Sequence, residues 1–370
     1  MSDLPESDRR DGFPHPRETR RLYGHKAAEG AFLDAYRAGR VHHAWLLTGI
    51  EGVGKATLAY RIARFVLSHP DTGRIAGAGI TLDMVDEQVA RQIAGLSHPN
   101  LLVLRRPTDE TTKRIKTVIP VEEVRRVTHF LSRSASAGGW RISLIDSVDD
   151  LNSNAANALL KMLEEPPANC LFLLVSHHPG RLLPTIRSRC RRLALKPLDQ
   201  PTIHQILAHQ IGDLGDDALG QLCRLADGSA GIALSMAAAD GVALYDELSR
   251  LLGQLPRVDV RALHQLADRV GRRDADGLFH LFFNLLSAWI DRLVRVGAGA
   301  GGTELMATSS DLETMARLAS MASLDRWVEV WEKIGQSLAR AEALNMDRKV
   351  LVINTFSDLE SVCLGEALPA

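Results

Sequence analysis

The chain is short of cysteine, of net charge and of long apolar runs, and each shortage closes a class of function. Its four cysteines, Cys170, Cys190, Cys223 and Cys363, are scattered through 370 residues without a C-x-x-C pair. That spacing argues against a disulfide framework, offers no zinc pattern, and suits a reducing cytoplasm. The 44 basic residues are balanced by 45 acidic ones, for a formal charge of −1. Without a global positive field, any contact with nucleic acid has to be local. No stretch reaches the roughly 18 uninterrupted apolar residues of a membrane helix, and the N-terminus is polar rather than signal-like. No internal repeat is visible. The expectation is a cytoplasmic protein away from membranes, 45% hydrophobic and long enough for two or three domains.

What is present alternates. Strand patterns at 43–48, 101–104, 141–146 and 170–175 interleave with helical patterns at 26–37, 55–67, 121–135 and 152–164. Such alternation implies an α/β domain with a parallel sheet covered by helices. Between the first strand and its helix runs Gly49-Ile50-Glu51-Gly52-Val53-Gly54-Lys55-Ala56-Thr57, a G-x-x-x-x-G-K phosphate loop in the strand-loop-helix context that makes the pattern credible. Glycines let backbone N–H groups face a phosphate, and Lys55 supplies the charge. The next position should carry a hydroxyl for Mg²⁺, yet it is Ala56. Thr57 comes one residue late, rotated by about 100° around the helix.

A second gap accompanies the first. The apolar run Arg141-Ile142-Ser143-Leu144-Ile145-Asp146 ends in an acid, as a neighbouring parallel strand would, and Asp146 can organise Mg²⁺ through water. A hydrolase of this type would follow it with a glutamate that polarises the attacking water. Here the residue is Ser147, which lacks the charge and the basicity. Loss of hydrolysis explains both gaps together, and retention of the loop as scaffold is favoured over real nucleotide binding. Adjacent His177 and His178 lack a third ligand nearby and read as loop histidines; no metal site is expected. Trp289, Trp327 and Trp331 sit at helical spacing on apolar faces and read as core or subunit interface.

Three blocks carry a resemblance: Gly138-Gly139-Trp140-Arg141, then Asn154-Ala155-Ala156-Asn157-Ala158-Leu159-Leu160-Lys161-Met162-Leu163-Glu164-Glu165-Pro166-Pro167, then Ile186-Arg187-Ser188-Arg189-Cys190. From about His25 to Ala239 the chain resembles bacterial sliding-clamp loader subunits of the AAA+ superfamily, and its broken nucleotide site resembles the delta-prime class of DNA polymerase III. The resemblance implies an AAA+ P-loop domain with a parallel sheet (17–197), a small three-helix lid (198–241) and an all-α C-terminal collar domain (242–370). Residues 1–16, with Pro5, Pro14 and Pro16 among charges, read as a disordered leader. The Gly297-to-Gly302 run reads as a mobile loop inside the collar. Many relatives carry a four-cysteine zinc module after the loop helix; Ser68 to Leu104 has no cysteine, so zinc is not expected.

The same resemblance assigns roles. Active loader ATPases begin a lid helix Gly-Ser-x-Arg, whereas this chain reads Gly228-Ser229-Ala230-Gly231 and lacks that arginine. It keeps Ser188-Arg189-Cys190, where resembling subunits offer an arginine to the ATP of the adjacent subunit. Arg189 is therefore the expected catalytic group, acting in trans, with Ser188 and Cys190 shaping its turn. Arg187, Arg191 and Arg192 read as a solvated basic run. Gly49, Gly52, Gly54, Lys55, Thr57 and Asp146 form a degenerate nucleotide site, with room for weak ATP or ADP binding but no required cofactor. No intrinsic ATPase is expected, and polymerase activity would belong to the holoenzyme. The implied partners are the gamma/tau motor subunits, the delta subunit, the sliding clamp and, through the complex, primer-template DNA. Two alternatives stand beside this stator reading: an active motor subunit using Thr57 and a surrogate base such as Asp149, and a nucleic-acid-binding adaptor.

Overall fold

A computed structural model of the chain describes residues 6–9, 13–70, 80–109, 111, 115–132, 139–212, 215–272, 274–300, 309–344 and 346–367. It divides into two compact units, one of Met1–Thr202 with Gly228–Gly231 and one of Ile203–Asp227 with Ile232–Ala370.

The first unit alternates helix and strand in the order α1 (Lys26–Arg37), β1 (Ala44–Thr48), α2 (Lys55–Ser68), α3 (Glu87–Ala94), β2 (Leu101–Arg105), α4 (Val121–Ser132), β3 (Arg141–Asp146), α5 (Ser153–Glu164), β4 (Cys170–Ser176), α6 (Pro184–Ser188) and β5 (Arg191–Ala194). The strands form one parallel sheet ordered β2-β3-β4-β1-β5. Every residue of β1 and β4 is buried, which is why both read as unbroken apolar runs. The register sets Leu46 beside Leu174 and Leu144 beside Leu173. Aromatic packing on one side joins α1 to the sheet and to α2: Phe32 meets Trp45 edge-on at 5.2 Å, and Tyr36 meets Phe65 at 5.1 Å. Asn152 caps α5 by accepting from the Ala155 amide, and Asp86 caps α3 by accepting from Gln88 and Val89. The α/β class expected from the alternation is the one observed. Edge strand β5 escapes a sequence reading because Arg191, Arg192 and Ala194 face solvent and only Leu193 is buried.

The expected leader is a correction. Met1–Pro5 and residues 10–12 lie outside the described residues, but residues 6–9 and 13–16 pack onto the first unit. Glu6 pairs with Arg17 at 2.9 Å and Arg105 at 2.6 Å, Asp8 pairs with Arg105 at 2.8 Å, and His15 is buried edge-on to Tyr60. The charges that suggested a solvated tail find fixed opposite charges instead.

The secondary structure of the second unit's described residues is all helical: α7 (Gln200–Ile211, its first residues counted with the first unit), α8 (Asp216–Leu225), α9 (Ala230–Ala238, its first two residues counted with the first unit), α10 (Gly241–Gly253), α11 (Val260–Val270), α12 (Asp276–Gly297), α13 (Ser309–Ala319), α14 (Leu324–Leu344) and α15 (Arg348–Leu364). The stretch from Asp311 to Leu344, helical in pattern throughout, is divided between α13 and α14. Met321 and Ser320 turn back on the carbonyls of Leu318 and Arg317, and Ser323 then opens α14. The glycine run after α12 is described only as far as Ala300, and the rest of that expected loop lies outside the described residues. Trp289 and Trp327 are buried; Trp331 is 40% exposed, three residues from exposed Val328. Inside, Asp311 accepts from Tyr245 Oη at 3.0 Å and from Ser249, so its buried carboxylate is hydrogen-bonded.

One turn of the first unit admits no side chain. Gly228 has φ +80°, and a Cβ there would lie 2.4 Å from Pro197 Cβ and 2.9 Å from its Cα. Left-handed strain and a backbone clash act together, so Gly228→Ala should destabilise the protein by about 2 kcal/mol or more. Thermal unfolding checks this, and an unchanged midpoint would remove the turn from the account.

Candidate functional site

The phosphate loop connects β1 to α2, with Gly54 as the helix N-cap and Lys55 as its first residue. Lys55 is only 3% exposed. Its Nζ donates to the loop's own carbonyls, Gly49 O at 2.7 Å and Ile50 O at 2.6 Å. Buried His25 bonds through Nε2 to Val53 O at 2.8 Å, and burial pushes its pKa down. From the other side the turn before α9 closes on the loop: Ser229 Oγ donates to Glu51 O at 2.7 Å and the Gly231 amide to Gly52 O at 2.9 Å. Gly52, at φ +73°, fits because a Cβ there would stand 2.8 Å from Gly231 Cα. Sequence reasoning missed this docking, although the Gly228-Ser229 pair ahead of the helix marks it. Ala56 and half-buried Thr57 follow in the first turn of α2.

Asp146 stands at the C-terminal end of β3, paired in register with Arg105 of β2. Burial pushes its carboxyl up to about 7, helped by the negative charge of Asp8 and opposed by Lys55. Ser147 is buried and opens the tight turn Val148–Asp150. Asp149, the surrogate base of the motor alternative, accepts three hydrogen bonds: Ser176 Oγ at 2.9 Å, the His177 amide at 2.6 Å and the His178 amide at 3.3 Å. A carboxylate so engaged ties β4 to the turn, and its lone pairs point away from the task of a base. Burial, then Lys55, pushes His177 down to about 4, leaving it neutral. A trio at the N-terminus, Glu6, Asp8 and His15, brings possible ligand atoms within 4.8 Å of one another. Both carboxylates already pair with guanidinium groups, so an added dication there would face two fixed positive charges.

The arginine run lies at the far end of the same strands. Arg189 caps α6, which Pro184 opens, and β5 starts at Arg191. Arg191 pairs in register with Trp45 and Ala194 with Thr48, so β5 runs towards the phosphate loop and Arg189 precedes it at the opposite end of the strands. The four residues of β5 alone span about 10 Å. Arg189 therefore faces away from its own chain's loop. Its side chain is 35% exposed, with Nη1 donating to Thr185 O at 3.0 Å and Nη2 paired to Glu164 Oε1 at 2.8 Å. Ser188 Oγ donates to Thr185 O at 3.1 Å. Cys190 packs against the apolar core, and burial pushes its thiol up to about 12, which rules out a thiolate nucleophile at neutral pH. The neighbouring arginines have structural roles: Arg191 stacks over the Trp45 ring at 4.7 Å, Arg192 donates to Thr48 Oγ1, and Arg187 donates to Pro179 O. Nothing local in the sequence gives Glu164 a role; the structure pairs it with Arg189.

The family model described as "DNA polymerase III, delta subunit" matches residues 24–199. DNA polymerase III subunit delta' of Pseudomonas aeruginosa is 37% identical over 187 residues, covering 50% of this chain and 53% of that protein. The delta' subunit of Escherichia coli is 33% identical over 223 residues, covering 59% and 61%. DNA polymerase III subunit tau of Salmonella typhimurium is 33% identical over 234 residues, covering 61% of this chain and 34% of tau. The chain thus spans about half to three fifths of the length of the two delta' relatives.

Proposed function

We propose that the chain, whose residues 24–199 match the family model described as "DNA polymerase III, delta subunit" and which is similar to two delta' subunits, is a non-hydrolysing clamp-loader subunit. Its work is to present Arg189 to a triphosphate held by a neighbouring ATPase subunit. The observation that carries the reading is the separation just described: an accessible guanidinium at one end of the strands, and at the other a loop whose lysine is tied to its own carbonyls. A planar, permanently charged group can stabilise charge developing on a γ-phosphate that its own chain does not hold. Ser188 and Cys190 support it, the first by fastening the turn and the second by anchoring it to the core. Gly49, Gly52, Gly54, Lys55, Thr57 and Asp146 then serve as scaffold, with at most weak nucleotide binding.

On this reading residues 198–241 form a lid and 242–370 a collar that joins a ring, with exposed Val328 and Trp331 available to neighbouring subunits. The partners are gamma/tau-type motor subunits, a delta subunit, the clamp and primed DNA reached through the assembly. No described helix is long and apolar enough to cross a membrane, and a cytoplasmic site of action fits. The similarity to tau favours a second reading, a motor subunit. Against it stand Ala56, Ser147 and the engaged carboxylate of Asp149. The experiment is ATP turnover by the purified chain with Mg²⁺ present. No release of phosphate above background is expected, and hydrolysis that disappears in Lys55→Ala would establish the motor reading instead.

A further inference from the structure

The Leu163-Glu164-Glu165-Pro166-Pro167 stretch is left without a task by the proposed function, yet one of its residues touches the group on which that function turns. We infer that Glu164 is a positioning residue for Arg189, holding the guanidinium ready before a neighbour's triphosphate arrives; this rests on the reading of Arg189 given above. Glu164 is the last residue of α5, whose Leu159 and Leu163 are buried in the core. The helix stops there because prolines follow, and Glu165, forced off helical geometry, has φ −124° and ψ 69°. The carboxylate thus projects from a fixed platform rather than from a loop.

The geometry fits orientation better than neutralisation. Arg189 spends one donor of Nη2 on Glu164 Oε1 at 2.8 Å and one of Nη1 on Thr185 O at 3.0 Å. Nη1 also reaches Ser188 Oγ at 3.5 Å; a guanidinium has five N–H donors, so two remain for an incoming anion. Two anchors on separate elements, the end of α5 and the body of α6, fix the plane of the fork. A long side chain already held in place does not have to be ordered when the phosphate arrives. Both partners are partly exposed, Glu164 at 43% and Arg189 at 35%. A surface pair of this kind adds little to fold stability, so its removal reports on function.

The test uses the full chain reconstituted with its ATPase subunits, clamp and primed DNA, reading kcat and KM for ATP separately. Glu164→Ala should lower kcat roughly five- to tenfold with KM changed less than about twofold, the signature of a lost transition-state contact. Glu164→Gln, which keeps a hydrogen-bond acceptor, should recover part of the loss. In an Arg189→Ala background, Glu164→Ala should have no further effect, because the group it positions is gone. A raised kcat, or the same proportional loss with and without Arg189, would overturn the assignment. An unchanged kcat in Glu164→Ala beside a reduced one in Arg189→Ala overturns the role of Glu164 alone; unchanged kcat in both overturns the reading of Arg189 as well.

Discussion

Arg189→Ala should leave the chain folded and able to join its assembly while depressing hydrolysis at the site it faces by on the order of 10³. The fold survives because the side chain is partly exposed and its partners, Thr185 O and Glu164, are at the surface. Neither is stranded in the core by its loss. Bulk turnover falls less than the single-site figure when other subunits hydrolyse independently, so the measurement is DNA-stimulated ATPase together with clamp loading in the reconstituted complex, compared with unfolding of the free variant. Lys in place of Arg should rescue poorly, since a point charge cannot bridge two phosphate oxygens as a planar fork does. Full activity with the alanine variant would leave this chain as a spacer.

The second large effect concerns stability and pH. Asp146 has a carboxyl pushed up to about 7, against an ordinary 3.8, by burial first and by Asp8 next. The folded form therefore holds a proton that the unfolded chain has released, and between about pH 4 and 7 stability falls as pH rises. Asp146→Asn keeps the shape and removes the titration. It should be more stable than the parent at pH 8, by on the order of 2–4 kcal/mol, and the gain should shrink steadily as the pH falls below about 7 and be small near pH 4. Denaturant unfolding across that range decides the matter. A variant destabilised at pH 8 would mean that the carboxylate is welcomed there, as it would be by a bound cation.

The sheet was legible because its inner strands are buried on both faces. Leu171 to Val175 and Ala44 to Leu47 have no polar alternation to confuse with a helix stripe. The phosphate loop and the trailing acid were legible for a different reason: their chemistry requires particular residues at fixed spacing. What stayed hidden was contact between segments distant in sequence. Nothing local marks Glu164 as the partner of Arg189, or Ser176 as the partner of Asp149. The N-terminal charges misled because a charged, proline-bearing segment is solvated only until it meets fixed countercharge, here Arg17 and Arg105. The break between α13 and α14 turns on backbone bonds that serine and methionine neither demand nor forbid.

On the proposed non-hydrolysing reading, the fastening of Ser229 and Gly231 onto Glu51 and Gly52 is a further obstacle to reversal. A loop that wraps a guest must be able to flex as the guest comes and goes, and here two carbonyls on its rim are already spoken for by a turn that follows much later in the chain. On that reading, placing a hydroxyl at 56, an acid at 147 and a cation at 231 would supply the reagents but leave those two carbonyls fastened. Turning such a chain into a working engine would then demand loosening that seam as well as adding those parts.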